Sequence, residues 1–436
     1  MTLRVGITGV GVLSALGDEP AAVSRALCAG EHARRPLHPP AGADPTANGG
    51  FAGLDELEDA EIAPLRDFDA ARYLGTETNL RPLDGADRRL AAAAALALEA
   101  SGWTAEACAA EAVGLVAGTM FAGMRTIAEF DRRALEAGPQ YVMPLDFANT
   151  VFNAAAGQTA IRHRLTGPNA TLGGGPVAAL QALGYAADLV RAGQARAVLA
   201  GGVDELSAEA LRAFSRAGLL SGAGEGPGVP VPFDGRRDGC ALGEGAVLFM
   251  VESIADAERR GAPVLAEIVA SASAWAPVRE PGRAEPAEAP DEVAAALART
   301  IAQVLGRRGT AAWALDAWSS SASGDVGRDR TEARGFTEAL GEGARAVAVT
   351  AVKGALGEML GAAGGLQALV LIEGMRSGRL PGIAGLATPD SDLGITLSAE
   401  GRAVDLRLGL ATAVGFDGAV EALLLRRWEG EHFATR

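Results

Sequence analysis

Short apolar runs without polar alternation recur along the chain between Ala- and Leu-rich stretches of helical spacing. In the first half they are Val5–Val10, Val113–Ala117, Ala197–Gly201 and Val247–Val251; in the second, Val264–Val269, Ala346–Val352, Ala368–Ile372 and Val420–Leu425. A strand with one wet face alternates polar and apolar residues, so runs this short and Val-rich predict strands covered by helices on both faces. Helices are predicted over Pro20–Ala29, Asp87–Ser101, Pro176–Ala192 and part of Gly361–Gly374, with Gly30, Gly102 and Gly193 at C-terminal cap positions. The repeated strand–helix order predicts an α/β architecture of two similar units, residues 1–253 and 254–436, dividing near Ser253–Ala262. The Gly-, Pro- and Ala-rich segments Ala41–Gly53 and Ser221–Pro230 read as surface loops.

Composition sets the scale and the compartment. At 436 residues, 49% hydrophobic, the chain can bury one large core or two fused ones. Charged residues make up 21%, with no long single-sign block, which fits a packed chain rather than a disordered one. A net charge of −15 and a pI of about 4.9 argue against nucleic acid or an anionic membrane as partner, since both are bound through clustered Lys and Arg. Cys28, Cys108 and Cys240 are too few and scattered for a disulfide framework or a zinc site. The N-terminus runs straight into the strand-like Arg4–Gly11 with no basic leader, and no apolar run reaches the roughly 20 residues that span a bilayer. A soluble, cytoplasmic chain without metal or cofactor is expected.

Chemistry enters with the segment Gly167–Pro176, its Gly173-Gly174-Gly175-Pro176 end, the following Val177–Leu180 and the later Ala200-Gly201-Gly202-Val203-Asp204. In order and spacing it resembles, without a gap, the stretch of β-ketoacyl synthases that carries the nucleophilic cysteine. Val5–Gly17, Pro232-Phe233-Asp234, Asp238-Gly239 and Gly243-Glu244-Gly245-Ala246 are similar to further blocks of that family, so the resemblance spans nearly the whole chain. It implies a thiolase fold, two similar α/β halves in a layered αβαβα arrangement.

Active members of that family use a cysteine at a helix N-terminus, where the dipole lowers its pKa, and two histidines that stabilise the enolate left by decarboxylation. This sequence departs at each position. Pro176 stands for the cysteine; it has no nucleophilic atom and no N–H for an oxyanion hole, although proline is comfortable in the first turn of a helix. Counting back from Asp329 and Glu332, which fit the family's Asp and Glu, places Ser321 at the first histidine. In Lys353-Gly354-Ala355-Leu356-Gly357-Glu358 the second histidine has become Glu358, and Lys353 is expected to neutralise it in a buried salt bridge. The family's Gly-Phe-Gly-Gly loop reads Gly415-Phe416-Asp417-Gly418: the gating Phe416 is kept, and Asp417 is expected to project a carboxylate into the reaction centre.

The other histidines offer no substitute. His32, His38 and His432 are expected to be exposed, His163 to pack or face solvent, Cys240 to be a core residue and Glu244 a framework hydrogen-bonding group. The resemblance therefore implies a catalytically inactive chain-length factor, which pairs with a cysteine-bearing ketosynthase through the strand near the nucleophile segment and forms one wall of its acyl tunnel. The best-known aromatic-polyketide factors typically place glutamine at the cysteine position, so Pro176 and the Gly173-Gly174-Gly175 run make a reducing, polyene-forming or aryl-polyene-type partner the narrower expectation. Acyl carrier proteins are acidic like this chain, so docking is expected mainly through the partner, or through a local patch such as Arg132-Arg133 or Arg236-Arg237. The tunnel helix falls on Gly123–Gly138, with Phe121, Met124, Ile127 and Phe130 as its lining stripe. Two other readings remain: an acyltransferase or decarboxylase built on Glu358 and Ser321, and a homodimeric scaffold or lipid-binding protein.

Overall fold

A computed structural model describes residues 3–38, 51, 54–57, 59–76, 79–223, 226–278, 291–306 and 314–430. His432 and all of the 41–53 loop but Phe51 lie outside the described residues.

Ten strands hydrogen-bond in one series. The first half supplies β1 (Val5–Leu13), β2 (Gly114–Gly118), β3 (Asn169–Leu172), β4 (Ala197–Asp204) and β5 (Gly245–Ser253). The second supplies β6 (Ala266–Trp275), β7 (Ala317–Ser319), β8 (Ala348–Thr350), β9 (Leu408–Val414) and β10 (Ala419–Arg427). Their order is β3-β2-β4-β5-β1 followed by β6-β10-β9-β7-β8. Each half thus runs third, second, fourth, fifth, first. In each, the first two pairings are parallel and the last two antiparallel. The halves meet where Val5–Ile7 pairs with Ala266–Ile268.

Every residue of β1, β2, β4, β5 and β9 is buried, as strands covered on both faces must be. On the first half's outer face lies α2 (Gly85–Ser101), which packs on β1. Its alanines permit contact close enough that a Cβ on Gly11 would stand 2.0 Å from the Ala93 carbonyl oxygen. The second half is covered by α7 (Glu292–Gly306) and α8 (Val326–Leu340). Between the halves lie α5 (Ala178–Arg191) and α9 (Ala363–Ser377), each touching strands of both. These are the five layers of the thiolase fold. The remaining long helices are α1 (Pro20–Cys28), α3 (Met124–Ala137), α4 (Ala154–His163) and α6 (Ala208–Arg216).

Ala368–Ile372, read above as a strand, lies inside α9. That helix is buried without a break from Ala363 to Met375, so it shows no polar stripe, and five apolar residues cut from it look like a covered strand. Three of these ten strands escaped the sequence reading. β3 is a four-residue edge strand with polar Asn169 and Thr171, β7 has three residues, and β9 is diluted by Gly409 and two alanines.

Candidate active site

The strand β3 ends at Leu172, and the chain then turns through Gly173–Gly174 and one tight helical turn, Gly175–Val177, into α5. Gly175 has φ +57°, a left-handed conformation that suits glycine. Pro176 follows, buried, at the head of α5, the helix that touches strands of both halves. With no N–H to satisfy, it forfeits nothing there. Its turn packs against the Leu360–Ala362 turn that follows Glu358 and against β9.

Lys353 and Glu358 flank the short helix Lys353–Leu356. Lys353 Nζ donates to Glu358 Oε2 at 2.7 Å, with both side chains at most 2% exposed. The other carboxylate oxygen accepts the Leu360 N–H at 3.0 Å. Its backbone is fixed as well, through Glu358 N–H to Ala241 O at 2.8 Å and Gly243 N–H to Glu358 O at 2.9 Å. The expected buried ion pair is present, and it uses up both charges.

Ser321 lies in the loop from β7 to α8. Its N–H donates to Glu332 at 2.9 Å and its hydroxyl oxygen accepts the Val414 N–H at 3.1 Å. Neither contact supplies a base. Glu332 also accepts the Ser320 hydroxyl at 2.7 Å, while Asp329 accepts the N–H groups of Ser323 at 2.9 Å and Phe233 at 3.0 Å. Burial raises Glu332 and pushes Asp329 up to about 6, against the hydrogen bonds and Arg237, which pull it down. These two carboxylates serve as loop anchors.

Phe416 sits in the turn between β9 and β10, edge-on to Phe214 of α6 at 5.2 Å, and Phe214 meets Phe121 at 6.3 Å. Phe416 and Phe121, expected as gate and first tunnel position, are thereby joined through an aromatic ring that no sequence motif marks. Asp417 corrects an expectation: its carboxylate is exposed and bends back to accept the Ala419 N–H of its own turn at 3.1 Å. A two-residue β-turn has room to face its side chain outward, and a carboxylate gains solvation by doing so.

A helix is present over the expected segment as α3, with Gly123 and Gly138 as its caps. Met124, Ile127 and Phe130 are half-buried on it, and Phe130 packs on Phe147 at 6.0 Å. Phe121 precedes the helix instead of belonging to its stripe. Asp204 fixes this region. Wholly buried at the end of β4, it accepts from Gly361 N–H at 2.7 Å, Met120 N–H at 2.8 Å, Thr119 Oγ1 at 2.9 Å and Phe121 N–H at 3.0 Å. Burial pushes it up to about 6 despite these donors. One carboxylate thus ties the Glu358 turn to the entry of α3, a role that only its place at the end of a Gly-Gly strand could have hinted at.

Glu244 is the framework group expected, accepting from Arg89 at 2.8 Å, Leu65 N–H at 2.9 Å and Leu206 N–H at 3.1 Å. Cys240 is core, its thiol pushed up to about 12 by burial; Cys108 is pushed up to about 11, and burial raises Cys28 too. All three stay protonated at neutral pH and are poor nucleophiles. His163 packs against the Ala91 carbonyl at 2.9 Å, and His32 is exposed. His38 is not: it is half-buried against the Leu54 carbonyl at 2.9 Å. The Arg236-Arg237 patch also fails as a docking surface, because Arg237 is buried against Asp329 and Asp390 and Arg236 is held by Asp234. Arg132 and Arg133 are exposed, each paired with a carboxylate.

Residues 2–257 match the family described as Beta-ketoacyl synthase, N-terminal domain, and residues 276–387 match its C-terminal domain. The chain belongs to the β-ketoacyl synthase family. Among curated relatives, the 3-oxoacyl acyl-carrier-protein synthase 2 of Coxiella burnetii is 28% identical over 97% of this chain and 98% of its own. That of Rhizobium meliloti is 28% identical over 98% and 99%. The fold of this β-ketoacyl synthase family member is similar to that of the ishigamide ketosynthase/chain length factor, at a TM-score of 0.86 with 24% identity, covering 98% of this chain and 100% of the other. A β-ketoacyl synthase from Burkholderia phymatum superimposes at a TM-score of 0.84 with 24% identity over 98% and 100%. Among the described residues no helix is long and apolar enough to cross a membrane, and no His, Cys, Asp and Glu cluster could hold a metal ion.

Proposed function

We propose that the chain is a non-catalytic chain-length factor: it pairs with a cysteine-bearing ketosynthase in the cytoplasm and shapes the acyl tunnel in type II polyketide assembly, with a reduced or polyene product as the narrower reading. The observation that carries this is the centre itself, where a buried proline heads α5 and a lysine–glutamate ion pair fills the adjoining turn. A thioester cannot form on proline, while the framework around it is kept in full. Residues 1–253 and 254–436 are the two halves of this assembly, the first carrying the lost nucleophile and the second the lost histidine positions.

The surface supports a partner. Tyr141, Met143, Leu145, Phe147, Val151, Phe152 and Ile161 are exposed apolar side chains within about twenty residues of sequence, Ile161 at 77%. Monomers rarely expose apolar residues in such density. Beside them runs β3, bonded to β2 alone, and Asn169 of β3 reaches Ala156 of α4 at 3.3 Å. An edge strand next to an apolar patch is a surface that another subunit would cover. An acyl carrier protein then docks mainly through that partner.

No observation favours the acyltransferase or decarboxylase reading, because Ser321 has no base and Glu358 is neutralised. The test is co-expression with a ketosynthase whose Cys-His-His site is intact. Co-purification as a heterodimer, with condensation that requires both chains, is the expected result. A monodisperse monomer or homodimer indifferent to every such ketosynthase overturns the reading.

A further inference from the structure

The Phe416 ring has a second neighbour. The guanidinium carbon of Arg328, in the first turn of α8, stands 3.8 Å from its centroid. Arg328 is 19% exposed, and Nη2 donates to Ser323 Oγ at 3.0 Å. Its nearest carboxylate, Asp325, is 3.8 Å from Nε, beyond hydrogen-bond range, and buried Nε has no hydrogen-bond partner. A mostly desolvated guanidinium with a dry donor is held by the ring quadrupole far more firmly than an exposed one.

Placement gives this contact a consequence. Phe416, Met120 and Phe121 pack on one apolar cluster that contains Phe214, Cys240 and Leu360. Met120 in turn reaches the Pro176 turn, its sulfur 3.2 Å from where a Cβ on Gly175 would stand. Arg328 is also among the charges felt by Cys240, together with Glu358 and Lys353. The ring and the guanidinium are therefore linked to the Pro176 turn through Met120 and this cluster.

We propose that Arg328 is a positioning residue that clamps Phe416 shut over the Pro176 turn, closing this subunit's own mouth to an acyl-thioester arm. The clamp has three parts: Arg328 over the Phe416 ring, Phe214 in T-shaped contact with that ring, and Ser323 fixing the guanidinium. It does not depend on the identity of the partner subunit, and it fails separately from the heterodimer reading.

The full chain with C28S and P176C carries a thiol at the site as a reporter, Cys108 and Cys240 being buried. Its alkylation by iodoacetamide, located by peptide mass, is expected to be slow. Adding R328M keeps the side chain's bulk and removes the charge, and should speed alkylation by about tenfold, the loss of a desolvated cation–π contact; F416A should speed it at least as much. In the otherwise unaltered chain, R328M should also raise amide hydrogen exchange across 415–419 while exchange in α5 stays as it was, a measurement that stands even if the P176C chain does not fold. Unchanged exchange in R328M, or an F416A effect with no R328M effect, overturns the proposal, as does fast alkylation before any change at Arg328.

Discussion

Lys353 Nζ lies 2.7 Å from Glu358 Oε2, in a place from which solvent is excluded. Two charges so buried are worth little as a pair but cost a great deal when separated. K353M should therefore destabilise the chain by about 3–5 kcal/mol by stranding Glu358, and E358L by a similar amount by stranding Lys353. The double variant should recover most of that loss. Urea midpoints of the three variants give the coupling, and additive losses would mean that the charges do not depend on each other.

The chain should take up no acyl group from a malonyl- or acyl-carrier protein, which an intact mass reads directly. P176C alone should not restore condensation, because Ser321 and the Lys353–Glu358 pair still occupy the other reacting positions. Substantial turnover from that one substitution would falsify this account of the site.

Phe121 and Met124 stand at the entry of α3, where Asp204 holds the backbone N–H groups of Met120 and Phe121. Trimming either to alanine in the heterodimer should lengthen the product by one or more extension units while condensation continues. Both side chains are half-buried, so the stability loss should sit near the lower end of the core range, about 2 kcal/mol. Products of parental length would place the ruler elsewhere.

Glu421 of β10 is buried beside Ser273, whose hydroxyl donates to it, and burial pushes its carboxyl up to about 8, with Asp188 adding to the rise. A folded-state value above the unfolded one means the native chain holds its proton longer. Its stabilising contribution is then complete below about pH 4.5 and is lost as pH climbs toward 8, by an amount on the order of a few kcal/mol. E421Q keeps the bond from Ser273 without the titration. Thermal midpoints measured from pH 5 to pH 8.5 should fall less steeply in E421Q than in the parent chain, and parallel slopes would assign the pH dependence to other groups.

The sequence by itself determined the class of fold, because most of its Val-rich runs without alternation are covered strands that recur between helices, and it marked Pro176 as a position without a nucleophile, because that is covalent chemistry independent of folding. It also contained the Lys353–Glu358 pair, since five residues across one short helix leave the two side chains few other partners. What only the tertiary structure decided are relations between distant segments. Asp204 bonds to Met120 and Gly361, and Phe416 reaches Phe121 through Phe214, contacts across some 80 to 200 residues that no local pattern encodes. Direction was equally hidden: Asp417 faces water from its turn, and burial on every side makes Ala368–Ile372 a helix with the composition of a strand. Spacing along a chain fixes which face a residue shares with its neighbours, whereas what meets that face is settled by how the layers stack.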